Sequence, residues 1–151
     1  MQNIINGKKV GLGMENNKCK TFININVLNE KKGYAKEIKC LIDTGFDGYL
    51  QLSQSDITDL GLDVINKSSS ALADGSVIET GITKSKIRIL DEEIFDFPIQ
   101  FTENAVALIG TQLLRDTKKM IIFDYEDGYV TLTRDISLKD GIKSFVEKSH
   151  N

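Results

Sequence analysis

Two neighbouring stretches of the sequence alternate apolar and polar residues, and this feature most constrains the fold. Apolar residues recur at every second position within 21–28 and again within 34–42. A repeat of two residues places the apolar side chains on one face of a β-strand. The polar residues 29–33, which end in Gly, are typical of a turn between antiparallel strands. The pattern therefore predicts a β-hairpin whose second strand leads into Asp43.

A carboxylate directly follows the second predicted strand, in Leu41-Ile42-Asp43-Thr44-Gly45. A carboxyl group at the end of an apolar strand is partly removed from water, a setting in which carboxyls act as acids or bases. Thr44 adds a hydroxyl that donates and accepts, and Gly45 permits a sharp turn. Ordinary turns contain the same residue types. Two further segments accompany the tripeptide: an apolar strand that ends in Gly at 107–110, and a polar turn at 73–76.

On these three segments the sequence resembles the retropepsin-like (clan AA) aspartic proteases, the single-lobed relatives of pepsin. In that family an apolar-apolar-Asp-Thr-Gly loop carries the catalytic aspartate, a β-hairpin flap closes over the substrate, and an apolar-apolar-Gly strand leads into a short helix. The matching segments here are 41–45, 73–76 and 108–115, within roughly residues 20–134. The resemblance implies a mainly β acid-protease fold, a closed β-barrel-like single lobe with two or three short helices.

The resemblance also implies site residues, position by position. The catalytic set is Asp43, Thr44 and Gly45, and the residues implied to contact substrate are Phe46, Asp47, Ala73, Asp74, Gly75, Ile109 and Gly110. The family usually has a small residue in place of Phe46, so this departure alters the nearest substrate pocket. Asp47 has two interpretations, a contact to the substrate backbone and a solvated turn residue. The turn at 73–76 likewise has two interpretations, the tip of a flap and a plain hairpin turn.

The sequence contains one Asp-Thr-Gly, whereas the chemistry of the family uses two carboxyls. One activates a water while the other, protonated, hydrogen-bonds the scissile carbonyl. The resemblance therefore implies a homodimeric aspartic endopeptidase that acts on a peptide or protein substrate without metal or cofactor, with Asp43 from each chain. The alternative is a non-proteolytic dimerisation or peptide-binding module in which Phe46 crowds the cleft. A metal-dependent hydrolase using Asp43 and Asp47 has less support, because no His or Cys cluster accompanies them.

Composition narrows the partners. The 151 residues suit one domain, 40% are hydrophobic and 27% charged, and the net charge is -3 with a pI near 5.2. These values argue against a protein surface that binds nucleic acid or a membrane through positive charge. Residues 1–9 lack the apolar core of a signal peptide, so we expect a cytoplasmic protein in which Cys19 and Cys40 are reduced thiols rather than a pair. The sole histidine, His150, argues against a Ser/His or Cys/His nucleophile.

Turn and cap signals place the remaining elements. Ser53 and Gly61 predict the start and end of a short helix, and strands are expected at 62–65 and 69–72. Thr111 is expected to cap a second short helix, and a further hairpin turn is expected at 125–128. Apolar spacing beyond 134 predicts a C-terminal helix. We therefore divide the chain into a retropepsin-like aspartic protease domain, 1–134, and a helical tail, 135–151.

Overall fold

The computed structural model describes residues 9–15, 18–89, 93–126, 129–133 and 136–150. Within them the chain forms ten strands and three helices, which confirms the predicted mainly β fold. The strands are β1 (Lys9–Glu15), β2 (Lys18–Asn29), β3 (Tyr34–Ile42), β4 (Leu50–Ser53), β5 (Asn66–Ala71), β6 (Val77–Ile89), β7 (Glu93–Thr102), β8 (Leu108–Ile109), β9 (Met120–Asp124) and β10 (Tyr129–Thr133). The helices are α1 (Gln54–Leu60), α2 (Thr111–Asp116) and α3 (Ile136–Ser149).

Six of the strands pair in a circuit around the core. β2 and β3 form the predicted antiparallel hairpin, β3 pairs in parallel with β8, and β8 pairs antiparallel with β4. β4 then pairs in parallel with β7, β7 pairs antiparallel with β6, and β6 pairs antiparallel with β2. The pairing thus returns to its first strand, and β5 is added along β6.

The core lies on the face of these strands that carries the branched aliphatic side chains. Ile42, Ile109, Leu50 and Ile99 are neighbours across β3, β8, β4 and β7, and none is more than 8% exposed. Burying one such side chain contributes about 1.5–3 kcal/mol. This row of four buried side chains therefore holds the four strands together next to Asp43, the residue that follows Ile42. Cys40 lies in the same core as a free thiol, as expected.

Helix α1 has the two ends that the sequence predicts. Ser53 Oγ accepts a hydrogen bond from the Asp56 N–H at 3.1 Å, and Gly61 ends the helix in the left-handed conformation, with φ 62°. The predicted strand at 62–65 is wrong. After Gly61 reverses the chain, the apolar Val64 and Ile65 are both exposed and do not alternate. β5 begins only afterwards, and it covers most of the strand predicted at 69–72.

The first and last strands form a smaller antiparallel group. The first residues of β1 pair with β10, which pairs with β9, while the end of β1 pairs with β2. Of the predicted turn at 125–128, residues 127–128 lie outside the described residues. Helix α3 begins at Ile136, and its side chains from 139 onward are exposed. The domain division at 134 remains a prediction. None of the described helices is long and apolar enough to cross a membrane.

Candidate active site

Asp43 is the first residue beyond β3, and backbone hydrogen bonds fix its position. Its N–H donates to the Ile109 carbonyl at 3.0 Å, which continues the β3–β8 pairing by one residue. Its Oδ1 accepts from the Gly45 N–H at 2.9 Å, and its carbonyl accepts from the Phe46 N–H at 3.2 Å. The last two bonds close a tight turn. The carboxylate is therefore held at the end of the sheet while its side chain stays partly exposed, beside an exposed Thr44.

The loop after Asp43 caps helix α2. Three consecutive N–H groups at the start of the helix donate to three loop carbonyls, namely Gly110 to Tyr49 at 3.0 Å, Thr111 to Phe46 at 2.8 Å and Gln112 to Gly48 at 3.1 Å. A helix start leaves such groups unpaired unless something outside the helix accepts from them. The predicted cap at Thr111 is wrong, because Gly110 holds the cap position without a side-chain bond. Helix and loop therefore fix one another.

The Phe46 ring packs against the backbone of two glycines. A Cβ on Gly48 would lie 2.6 Å from Phe46 Cε2, and a Cβ on Gly110 would lie 2.7 Å from Phe46 Cδ1. Real Cβ atoms essentially never come this close to another atom, so the ring occupies the space that side chains at both positions would need. The departure at Phe46 is thus accommodated inside its own loop, where the residue is partly buried.

A side-chain hydrogen bond joins the far end of the loop to the last residue of α2. Tyr49 Oη donates to Asp116 Oδ2 at 2.6 Å, and Gln112 Nε2 donates to Asp116 Oδ1 at 3.1 Å. The bond from Tyr49, followed by the bond from Gln112, lowers the pKa of Asp116, and the partnership with Asp116 raises the pKa of Tyr49. The sequence analysis missed this pair because 67 residues separate its members and no local pattern relates them.

The structure brings the predicted loop and strand residues together, although their side chains point different ways. Ile109 contributes its carbonyl to Asp43, while its side chain is fully buried in the core. Leu108, which alternates with it, faces the other side of the sheet and is only partly buried. Asp47 is exposed. Among the described residues, no three His, Cys, Asp or Glu side chains are grouped as metal ligands.

The predicted flap turn joins β5 to β6 as a tight, exposed hairpin. The Leu72 N–H donates to the Ser76 carbonyl at 2.8 Å, and Gly75 has a positive φ of 84°. Asp74 Oδ1 accepts from the side chain and N–H of Ser76, and these bonds lower the pKa of Asp74. Ala73 lies beside them and is exposed. Within the described residues no hydrogen bond links this turn to residues 43–48.

No protein-family model and no curated protein matches the sequence. The fold does resemble solved structures, among them two proteases. One is a retropepsin-like aspartic protease from Rickettsia conorii, which is 18% identical, with a TM-score of 0.56 over 84% of this chain and 91% of that chain. The other is EIAV protease complexed with the inhibitor HBY-793, which is 16% identical, with a TM-score of 0.51 over 74% of this chain and 100% of that chain.

Proposed function

Since the chain has the retropepsin-like fold, we propose that it is a homodimeric aspartic endopeptidase in which each chain supplies one Asp43. The observation that carries the proposal is the geometry of the Asp43 loop. The carboxylate is partly exposed, and one of its oxygens accepts from the Gly45 N–H, while the loop is pinned to β8 and α2 by backbone hydrogen bonds. Such pre-organisation suits a group that must transfer protons.

The proposed reaction is the hydrolysis of a peptide bond by a water held between two Asp43 carboxyls. One carboxylate takes a proton from the water, and the resulting hydroxide forms a bond to the scissile carbonyl carbon. The second, protonated carboxyl donates a hydrogen bond to the carbonyl oxygen as negative charge develops there. The carboxyl that took the proton from the water then gives it to the amide nitrogen, the C–N bond breaks as the C=O double bond re-forms, and an acid and an amine leave. No metal or cofactor takes part in this scheme.

The need for a second chain follows from the single Asp-Thr-Gly. Two like charges a few ångströms apart do not both ionise, so the pair shares one proton and titrates as a unit. A two-fold axis beside Asp43 supplies the second carboxyl from an identical loop. The hairpin turn with Asp74 and Gly75 is proposed as the flap over the substrate, and Asp47 as a contact to its backbone. A cytoplasmic location remains part of the proposal.

The alternative proposal, a non-proteolytic dimerisation or peptide-binding module, draws on the bulk of Phe46 after the Asp-Thr-Gly. The packing of its ring against Gly48 and Gly110 argues against crowding, because part of that bulk lies inside the loop. The two proposals differ in what Asp43 does. In the module its carboxylate only caps the Gly45 N–H, whereas in the protease it also moves protons.

Asp43→Asn tests the difference, because it keeps the shape and removes the ionisable group. Cleavage of a peptide library should fall by at least about 10³-fold, with thermal stability unchanged or raised since a carboxylate repulsion is lost. Asp140→Asn, in the exposed part of α3, is the matched control and should cleave at the wild-type rate. Wild-type cleavage by purified Asp43→Asn would refute the aspartic-protease proposal.

Protein dilution tests the dimer. Specific activity should rise with protein concentration and then level off, and an excess of Asp43→Asn chains should inhibit the wild type by forming mixed dimers. Analytical ultracentrifugation over the same concentration range should show dimers forming with the same midpoint concentration as the rise in specific activity. A monomer with full activity that is independent of concentration would show that the second carboxyl comes from the same chain.

A further inference from the structure

We propose that a polar pocket between β4, β5, β6 and β7 is a subsite for a carboxamide side chain, Asn or Gln, of a peptide substrate. The inference rests on the proposed function, since it assigns one side chain of the substrate to a pocket away from the Asp43 loop. Nothing in the Asp-Thr-Gly resemblance identifies this pocket, and its residues come from four separate strands.

The pocket lies on the same face of the sheet as the partly exposed side of the Asp43 loop. Strand pairing aligns Leu41, Leu108, Gln51, Gln100 and Ile82 in one row across β3, β8, β4, β7 and β6. Paired residues share a face, and alternation places this row opposite the buried core row. Leu41 begins the row two residues before Asp43. A peptide crossing the exposed side of the sheet from Asp43 therefore meets the two glutamines.

Strand spacing gives the distance from the reacting carboxylate. Neighbouring strands lie about 4.8 Å apart, so Gln51 and Gln100, two and three strands from β3, are on the order of 10–16 Å from Asp43. An extended peptide advances about 3.3 Å per residue. The pocket would therefore take a side chain within about five residues of the scissile bond.

Most of the side chains around the pocket are polar, and none of them is charged. Its polar lining consists of Gln51, Ser68, Thr80, Gln100 and Thr102, and its volume is about 240 Å³. Liquid water occupies about 30 Å³ per molecule, so the space of roughly eight waters accommodates a carboxamide side chain. Gly81, Ile82 and the Phe101 ring complete the wall, and a Cβ on Gly81 would lie 2.6 Å from Phe101 Cε1.

Hydrogen bonds hold the two glutamines in place and leave groups for a ligand. Gln51 Nε2 donates to the Val106 carbonyl at 3.2 Å, and Gln100 Nε2 donates to Gln51 Oε1 at 3.3 Å. Each amide nitrogen carries two hydrogens and uses one in these bonds. Among the described residues, Gln100 Oε1 accepts no hydrogen bond. The pair therefore offers both a donor and an acceptor, the complement of another carboxamide.

The hydroxyls on the other wall of the pocket are already paired. Ser68 Oγ and Thr80 Oγ1 are 2.8 Å apart, and Thr102 Oγ1 donates to the Glu79 carbonyl at 3.1 Å. They make the wall polar but offer fewer free groups than the glutamines do. An apolar side chain would cover the glutamine amides without replacing their bonds to water, and a charged one would lose water without meeting an opposite charge. A neutral side chain that donates and accepts fits best.

Cleavage of a synthetic library of 14-residue peptides with randomised central positions tests the subsite. Products identified by mass spectrometry should show Asn or Gln enriched at one position within five residues of the cut. At that position, changing Gln to Leu or Glu in a single peptide should lower kcat/KM about tenfold, as expected for one or two neutral hydrogen bonds. Gln100→Leu should remove the preference for Gln over Leu. Gln54→Leu, a matched substitution outside the pocket, should keep it.

The outcomes separate this inference from the proposed function. Cleavage without any carboxamide preference, or a preference that Gln100→Leu leaves intact, would overturn the subsite and leave the protease standing. Should wild type cleave nothing, N-acetyl-glutamine N-methylamide is titrated into ¹⁵N-labelled protein. Shifts of the side-chain amide signals of Gln51 and Gln100 that N-acetyl-leucine N-methylamide does not cause would support the pocket alone. Equal or absent shifts would overturn it.

Discussion

Gly110→Ala is the most direct test of the argument that helix α2 and the Asp43 loop fix one another. The added Cβ would lie 2.7 Å from both the Gly48 carbonyl carbon and Phe46 Cδ1, and closer still to the Gly48 carbonyl oxygen. Ordinary contacts of a Cβ begin near 3.4 Å, so the loop must move by about 0.7 Å to clear the two carbon atoms and by about 1.3 Å to clear the carbonyl oxygen. The backbone conformation of Gly110, φ -95° and ψ 169°, suits alanine, which leaves the collision as the cause of any effect.

Overpacking of this kind destabilises a protein by about 1–3 kcal/mol. At this chain length 1 kcal/mol corresponds to about 2–4 °C, so the melting temperature should fall by about 2–12 °C. The displaced Gly48 carbonyl also accepts the Gln112 N–H, so the shift reaches the loop that carries Asp43. A displacement of about 1 Å at a reacting group lowers the rate by about 100-fold.

Urea denaturation and the peptide-cleavage assay measure the two effects separately. The matched control is Gly141→Ala in α3, where no atom lies within 4 Å of the added Cβ and φ is not positive. That variant should be at least as stable as wild type and fully active, because alanine favours the helix. If Gly110→Ala keeps wild-type stability and activity, the close contact between α2 and the loop does not position Asp43.

Three further perturbations test other parts of the structure. Gly75→Val places a branched residue at φ 84°, with open space around the added Cβ. The strained turn should lower turnover, while the free energy of unfolding falls by no more than about 2 kcal/mol. Outright unfolding would show that the turn is structural. Tyr49→Phe should lower the free energy of unfolding at pH 7, because the hydrogen bond to the Asp116 carboxylate is lost. The difference in stability between wild type and variant should shrink as pH falls from about 4 through the lowered pKa of Asp116, because a protonated carboxyl accepts less strongly. Burial raises the pKa of the Cys40 thiol, so iodoacetamide should modify it only at the rate of unfolding; fast labelling of folded Cys40 would contradict its burial.

Local sequence was sufficient for the elements whose causes are local. The alternation in 21–28 and 34–42 predicts the β2–β3 hairpin because side chains on a strand repeat every two residues. Ser53 and Gly61 mark both ends of α1 because a helix needs an acceptor at its start and a left-handed residue after its end. The same reasoning failed at 62–65, where the Ile65 N–H donates one hydrogen bond to the Ile82 carbonyl but regular pairing with β6 begins only at Asn66.

The pattern around Asp43 determined that a carboxylate ends an apolar strand, and the resemblance it supports led to the retropepsin-like fold. A signal for the polar pocket was also present, since Gln51 stands between two leucines that alternate with it. That spacing places Gln51 on the outer face of β4. It does not say which side chain lies next to it, because the neighbour belongs to another strand.

Tertiary structure alone decided the contacts between distant segments. Three contacts join residues that are 49 to 67 positions apart: the Tyr49–Asp116 hydrogen bond, the Gln51–Gln100 hydrogen bond and the packing of the Phe46 ring against Gly110. Each depends on the parallel pairings β3–β8 and β4–β7, whose connections are long and leave no local mark in the sequence. The sequence by itself determined that Asp43 ends an apolar strand, and the packing of strands distant in the sequence decided what surrounds it.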